Sequence, residues 1–517
     1  MVVEAGEAKG SRIMRKTSLV LLGVAIGASA VVVGSHTGVP HGGSAVAESA
    51  AVYRSLNLFG DVFDKVREDY VEKPDDKKMV ESAISGMLTS LDPHSSYMDA
   101  KSFQDMQVQT RGAFGGLGIE VMEENGLVKV VAPIDDTPAA RAGILSGDLI
   151  TAIDGENVQG MTLNQAVDKM RGEVNTSVKL TIERGPKKQK LDVSLTRAII
   201  HIKSVRSHVD KPDIGYIRIT QFTEQTYDGL KEAIEKLQHD IPADKFKGYV
   251  LDLRNNPGGL LDQSVAVVNA FIDHGEIVST RGRNADETQR YNARPNMDIS
   301  QGKPLVVLIN GGSASASEIV SGALQDHKRA ILIGSRSFGK GSVQTIIPLG
   351  QDNGALRLTT ARYYTPSGRS IQAKGIEPDV TILEDTPPDL KGKDDTKGEA
   401  SLQGHLKNGP DEEHGSQAYV PADESKDKAL HAAYDLLRGV KTLAMLKQEA
   451  AAAEAAGKAA QKTAEAAKKN SDKTAAKSDD AAGKGSADAS AAKAPAPPAG
   501  PNSEPVLKPA PSDDKSK

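Results

Sequence analysis

Apolar residues recur along this chain in distinct rhythms. Leu56, Phe59, Phe63, Val66 and Tyr70 are spaced alternately three and four apart, which places them on one stripe of an α-helix. Val80, Ile84, Met87 and Leu91 repeat the spacing just before "DPHSSYM". Together they predict a helical hairpin with an apolar seam, packed on its own domain or on a second copy of itself. From Gly112 to about Thr196 the texture changes to short β-type runs broken by glycine-rich turns. From Ile214 to Val380, "GYIRIT", "GYVLDLR", "PLVVLIN" and "AILIG" read as strands. Between them "LKEAIEKLQ", "SVAVVNAFI" and "ASEIVSGALQD" read as helices, the alternation of an α/β domain. After about Pro387 the pattern fades, leaving one short helix near Lys428 to Val440. Beyond Lys447 the chain is almost all Ala, Lys, Glu, Asp, Ser and Pro. Such a segment has too little apolar surface to offset the entropy of ordering, and it predicts a disordered tail with transient helix.

Composition sharpens this. The 517 residues are enough for two or three domains, and a tail without a core accounts for an aromatic content of only 4%. A net charge of −5 is too small to imply a nucleic-acid partner. With no cysteine, disulfides, thiolate metal sites and a catalytic Cys are excluded. At the N-terminus, Arg12, Arg15 and Lys16 precede the apolar run Leu19 to Val33. That run is short for a membrane span but suits a signal-peptide core. Ala28-Ser29-Ala30 and Ala45-Val46-Ala47 both fit the small-x-small cleavage pattern. Glu4 and Glu7 do not belong in a basic leader, so Met14 is the expected start. The expectation is export to a bacterial periplasm, with an uncleaved inner-membrane anchor as the alternative.

Three blocks in the middle region occur in a specific combination: "GGLGIEV", then "TPAARAGILSGDLITAIDGENV", then "TLNQAVDKMRG". They resemble a PDZ domain over roughly residues 105 to 197. The resemblance implies that Gly116, Leu117, Gly118 and Ile119 point backbone N–H groups at a terminal carboxylate. The peptide then adds as a strand, with the helix from about Leu163 as the opposite wall.

Chemistry concentrates in two later blocks. "NGGSASASE", Asn310 to Glu318, lies where a strand runs into a helix, and Ser315 with Glu318 has the spacing of a capping box. Read alone, these serines cap a helix. "AILIGSRSFGKGSVQ" sets Lys340 between two glycines just after another strand. Glycines permit close backbone approach, which suits an ammonium that must reach an internal site. Gly334 to Lys340 imitates the start of a phosphate-binding loop. Gly341 stands where Ser or Thr should hold Mg²⁺, and a strand follows instead of a helix, so an NTPase is set aside. A serine nucleophile needs a base. His327 lies about 18 Å along the helix from Ser315, too far to serve. Lysine is the remaining base, provided that desolvation lowers its pKa.

With "DLRNNPGGLL" and "YYTPSGRSIQ" in the same order, the chain resembles carboxy-terminal processing peptidases, the tail-specific proteases of Ser-Lys type, over roughly residues 50 to 385. The resemblance implies that Ser315 is the nucleophile, Lys340 the general base and Gln344 the residue that orients it. It further implies an oxyanion hole from the N–H groups of Gly259 and Ala316, with no metal and no other cofactor. A Lys340–Gln344 contact predicts a turn there, with the strand starting near Thr345. The expected fold class is multi-domain α/β. Residues 1–47 are the signal peptide or anchor, 48–104 the helical N-terminal region, 105–197 the PDZ domain and 198–385 the peptidase core, which shares the N-terminal region. Residues 386–446 form a partly helical extension and 447–517 the disordered tail. The expected function is an exported serine endopeptidase that recognises protein C-termini and works through an acyl-enzyme. The alternatives are a non-catalytic PDZ adaptor and a His-dependent hydrolase. Candidate partners are protein or peptide C-termini, a second copy through the N-terminal helices, an adaptor protein and, through the N-terminus, a membrane.

Overall fold

The structure, a computed structural model, describes residues 43–459 apart from positions 125, 135, 186–187, 202, 351, 389, 391–394 and 458. The leader and the chain beyond 459 lie outside the described residues, and so do the expectations placed on them. No helix among the described residues is long and apolar enough to cross a membrane. The chain falls into one unit ending at Arg438 and a second beginning at Gly439. The second contains a helix over 443–457. This helix runs into the segment expected to be tail from residue 447. Alanine, glutamate and lysine are strong helix formers, and there they prevail over the shortage of apolar surface.

The N-terminal hairpin is present as α1 (Gly43–Asp69) and α2 (Asp76–Thr89), with Asp75 capping α2 by accepting from Lys78 N–H. Strand β1 (Ser96–Met98) and helix α3 (Ala100–Arg111) lead to β2 (Ala113–Gly116). The inserted domain follows as β3 (Ile119–Glu124), β4 (Leu127–Pro133), α4 (Pro138–Arg141), β5 (Leu149–Ile153), β6 (Glu156–Asn157), α5 (Leu163–Met170), β7 (Ser177–Arg184) and β8 (Gln189–Thr196). Its strands form a sheet in the order β3-β4-β5-β7-β8, so β3 is an edge. Val130, Ile150, Ile153, Leu180 and Ile182 fill its own core. The domain leaves through β9 (Ala198–His201), which pairs antiparallel with β2, so entry and exit strands form one ribbon.

The α/β core is built on a sheet in the order β10-β11-β12-β15-β16-β19. These strands are β10 (Val205–Asp210), β11 (Ile214–Ile219), β12 (Gly248–Asp252), β15 (Leu305–Ile309), β16 (Ile331–Gly334) and β19 (Val380–Thr381). Pairing from β11 through β19 is parallel. Parallel strands are covered on both faces, which is why "YVL" and "LVVLI" are unbroken apolar runs. Helices α6 (Thr226–Asp240), α7 (Leu261–Asn269) and α8 (Ala316–Asp326) connect them, as the pattern predicted. Ile234, Val267, Ile319, Val320 and Leu332 meet Leu251 and Val307 in one core. A second sheet, β1-β18-β13-β14 with β17 on β18, uses β13 (Glu276–Arg281), β14 (Gln289–Asn292), β17 (Ser342–Pro348) and β18 (Ala355–Tyr364). Beyond residue 385, β20 (Asp395–Thr396) pairs with β21 (Ser416–Gln417), and helix α9 (Lys428–Arg438) buries Leu430, Ala433 and Tyr434.

Candidate active site

Three adjacent parallel strands, β12, β15 and β16, deliver three loops at their carboxyl ends, where ligands bind in open α/β sheets. Strand β12 ends in Arg254-Asn255-Asn256-Pro257-Gly258-Gly259. Strand β15 ends in Asn310 and the serine turn, and β16 ends in the loop carrying Lys340.

The first two loops are stitched together by amides. Asn310 Oδ1 accepts from Asn255 N–H at 2.8 Å, and Asn256 O accepts from Ala314 N–H at 3.0 Å and from Ser317 Oγ at 3.0 Å. Ser313 Oγ donates to Leu253 O at 2.8 Å. Ser313 and Ser317 are therefore structural and face the core, leaving Ser315 as the serine of the turn. Ser315 has φ 55 and ψ −111, a strained conformation for a residue with a side chain. Gly258 lies so close that an added Cβ would stand 2.8 Å from Ser315 Cβ and 3.0 Å from Ala316 N. Only glycine fits there. Among the described residues, the N–H groups of Gly259 and Ala316 have no acceptor. Ala316 is the first residue of α8, where such an N–H is free by construction of the helix. The turn is braced from below by buried charge. The Arg254 guanidinium pairs with Asp252 and with Asp427, at 2.8 Å each; burial raises the Asp252 carboxyl, but Arg254 and Arg218 together hold it below its ordinary range.

Glu318 joins the serine turn to the lysine loop. Its carboxylate is fully buried. Oε2 accepts from Ser315 N–H at 2.7 Å and from Lys340 N–H at 2.9 Å. Oε1 accepts from Gly339 N–H at 2.7 Å and from Ser337 Oγ at 2.5 Å. Burial pushes its carboxyl up to about 7, against the pull of these donors. The capping reading of Ser315 and Glu318 is thus correct, and it is also how the two loops are held in register.

Lys340 sits with its ammonium disfavoured. Burial lowers its pKa, and Arg357 on β18 adds to this, while Glu399, Glu318 and Asp92 pull it back up. The loop backbone is fixed at Phe338 N–H to Ser313 O, 2.9 Å, and Gly341 N–H to Gln372 Oε1, 3.0 Å. Among the described residues no hydrogen bond joins Ser315 Oγ to Lys340 Nζ; the two residues are linked instead through their backbone N–H groups, which share Glu318 Oε2. The turn expected over Lys340 to Gln344 is not found. Strand β17 begins at Ser342 and includes Gln344, with a bulge between Val343 and Gln344. The bulge redirects the strand's side chains, and among the described residues no hydrogen bond joins Gln344 to Lys340. Gln344 Nε2 donates to Ser342 Oγ at 2.9 Å and to Thr359 Oγ1 at 3.2 Å. Thr359 Oγ1 in turn donates to Asp92, from the "DPHSSYM" stretch. His327 is excluded as a base: it ends α8, with Nε2 2.7 Å from Glu276 O.

In the inserted domain, Gly116, Leu117, Gly118 and Ile119 form the junction of β2 and β3. Among the described residues, Leu117 N–H and Gly118 N–H have no acceptor. Gly118 has φ 76, and a Cβ there would strike Thr137, so the loop requires glycine. Its neighbour β3 is the open edge of the sheet.

Comparison with known proteins decides the family. Residues 213–382 match the model of peptidase family S41, 129–184 that of a PDZ domain, and 31–102 that of the activating protease CtpB N-terminal domain. A carboxy-terminal-processing protease of Bartonella bacilliformis is 58% identical over 389 residues, covering 75% of this chain and 89% of that protein. The chain belongs to the S41 family of carboxy-terminal-processing proteases. It is a serine peptidase with a PDZ domain. A probable CtpA-like serine protease of Staphylococcus aureus is 39% identical over 334 residues, covering 64% of this chain and 65% of that one. Among solved structures, a photosystem II D1 C-terminal processing protease is 31% identical, covering 65% of this chain and 95% of that one, with a TM-score of 0.37. The sequence pattern missed Glu318 as a hub, although its S-x-x-E spacing marked it, and it missed Glu399, for which no motif gave a signal.

Proposed function

We propose that this protease cleaves by a Ser315–Lys340 dyad and selects substrates by their C-termini through the PDZ domain. The carrying observation is the shared Glu318 oxygen, which accepts from both Ser315 N–H and Lys340 N–H, beside a lysine that burial presses towards neutrality. Ser315 Oγ attacks the scissile carbonyl carbon and its proton passes to Lys340 Nζ. Negative charge grows on the carbonyl oxygen, which accepts from the N–H groups of Gly259 and Ala316 in this reading; that both lack an acceptor among the described residues supports it. One such donor contributes about 3 kcal/mol in the transition state. Collapse expels the amine, which takes the proton from Lys340, and leaves an acyl-enzyme. Water then enters with Lys340 again as base, and Ser315 is restored. Gln344 positions the lysine from the bulge of β17. A serine-directed acylating probe separates this from a non-catalytic PDZ adaptor, which would not label.

Tail recognition follows from the free N–H groups of Leu117 and Gly118 beside an open strand edge. Hydrogen bonds to a carboxylate are charge-assisted and worth about 1.5–3 kcal/mol. Amidating the C-terminus of one peptide substrate is therefore expected to lower kcat/KM by roughly tenfold to a hundredfold. Equal values for acid and amide would remove the tail-specific reading. The PDZ domain also has a physical route to gate the site. Its entry helix α3 ends at Arg111, and Thr110 O accepts from Glu224 N–H at 3.1 Å. Two residues earlier, Phe222 bonds Gly258 and Leu260 on either side of Gly259.

The N-terminal hairpin supports a second copy as partner. Leu56, Phe59, Val62, Val66 and Tyr70 on or just after α1 are exposed, as are Val80 and Met87 on α2. So large an exposed apolar face marks an interaction surface. Phe59→Asp is expected to lower the mass measured by light scattering, and an unchanged mass would make the stripe part of the protomer alone. Export to the periplasm, with the leader either cleaved or kept as an anchor, and service by an adaptor protein complete the reading.

A further inference from the structure

The segment from β20 to β21 lies beyond the matched peptidase region, yet it is fastened across the site loops. Thr396 Oγ1 donates to Gly311 O at 2.9 Å, Gly311 N–H to Gln417 O at 2.9 Å, and Arg336 Nη2 to Gly415 O at 2.9 Å. Between its two strands the segment carries Glu399, which is fully buried. Glu399 N–H donates to Phe338 O at 3.0 Å, two residues before Lys340. The Glu399 carboxylate lies 2.8 and 3.1 Å from His94 Nε2 and accepts from Gln372 Nε2 at 2.8 Å. Gln372 Oε1 then accepts from Gly341 N–H, on the other side of Lys340. Glu399 is thus bonded to the lysine loop directly at one end and through one side chain at the other. The remaining charged groups around Lys340 are Arg357 on β18, Glu318 on α8 and Asp92 in the loop before β1. Of these acidic groups, Glu399 and Glu318 are the two fastened to the lysine loop itself.

We propose that Glu399 is a positioning residue for the general base: held by His94 and Gln372, its carboxylate is the counter-charge against which Lys340 gains and loses its proton. The inference rests on Lys340 being the base. A residue outside the matched core would then set the pH at which the protease switches on. A buried Glu–His pair could equally serve only to staple the segment down, so the test must read the lysine itself.

The experiment is the pH profile of kcat/KM for the full chain, wild type and Glu399→Gln. Removing the negative charge makes the ammonium less stable, so Lys340 becomes neutral at lower pH. The ascending limb is expected to move down by about one pH unit. Thr396→Val, which removes a fastening of the same segment without touching charge, should leave the limb where it is. The titration of Lys340 is also read directly, by NMR of isotope-labelled lysine in a Ser315→Ala background, with and without Glu399→Gln. That measurement needs no activity. Should Glu399→Gln not fold, Glu399→Asp takes its place, with a smaller shift expected. An unmoved limb and an unmoved Lys340 titration in a folded variant would overturn the proposal. An active Lys340→Ala enzyme would instead sink the base assignment on which it rests.

Discussion

Replacing Lys340 by alanine is expected to remove peptidase activity, with kcat falling by about a thousandfold or more, within the range of general acid–base contributions. The fold should survive, because the loop is held by its backbone. Lys340 N–H bonds Glu318, and the flanking Gly339 and Gly341 N–H groups bond Glu318 and Gln372. Lys340→Arg should fail as completely, since a guanidinium does not give up its proton in this range. Ser315→Ala should match both. A Lys340→Ala variant with native circular dichroism and a tenth of wild-type kcat would mean that another group takes the serine proton.

Glu318→Gln is expected to be nearly as damaging, for a different reason. The carboxylate offers two acceptor oxygens to four donors, and an amide offers one. If the new NH₂ takes the Oε2 place, it meets Ser315 N–H and Lys340 N–H head on. In the Oε1 place it meets Gly339 N–H, while the Ser337 hydroxyl can turn to accept. The second arrangement is the cheaper, and it still leaves a buried donor unpaired at about 1–3 kcal/mol. The cost falls on the Gly339 bond, one of the contacts that set the lysine loop against the serine turn. A 1 Å misplacement there is worth about a hundredfold in rate. The expected result is a kcat loss of about that size with a folded protein and a lower Tm. The Tm deficit should also depend on pH. Burial raises the Glu318 carboxyl from 4.5 to about 7, so the folded chain holds a proton that the unfolded chain releases. Stability from that group is complete below 4.5 and is lost as pH rises through about 7. The glutamine variant has no such group, so the gap between the two proteins should narrow from acid to alkaline pH. Melting curves across that window check it. A gap that stays constant through that window would mean that Glu318 is already ionised in the folded protein.

Much of this was legible in the sequence because the signals were local. The apolar runs of β12, β15 and β16 gave the parallel sheet, and the site had to lie where those strands end. Ser315, Lys340, Gly259 and Ala316 sit on those ends and carried their own motifs. What was not legible depended on distant pairing. Gln344 was expected on a turn, because spacing alone cannot show a bulge that forms only against β18. Glu318 could be read as a cap, but not as the acceptor for Gly339 and Lys340, which come from another strand. Glu399 lies 59 residues beyond Lys340 in a segment with little apolar pattern, and its burial follows from contacts with His94 and Gln372. The helix over 443–457 runs into the stretch whose composition suggested disorder with transient helix, and there local propensity favours helix.

The most direct test of the dyad is the rate at which a fluorophosphonate probe labels the full-length protein, followed by peptide mapping, in wild type and Lys340→Ala across pH. The account predicts a single modified residue, Ser315, labelled at a rate that rises with pH as the lysine loses its proton and that collapses without Lys340. Label on another residue, or equal rates with and without Lys340, would contradict it.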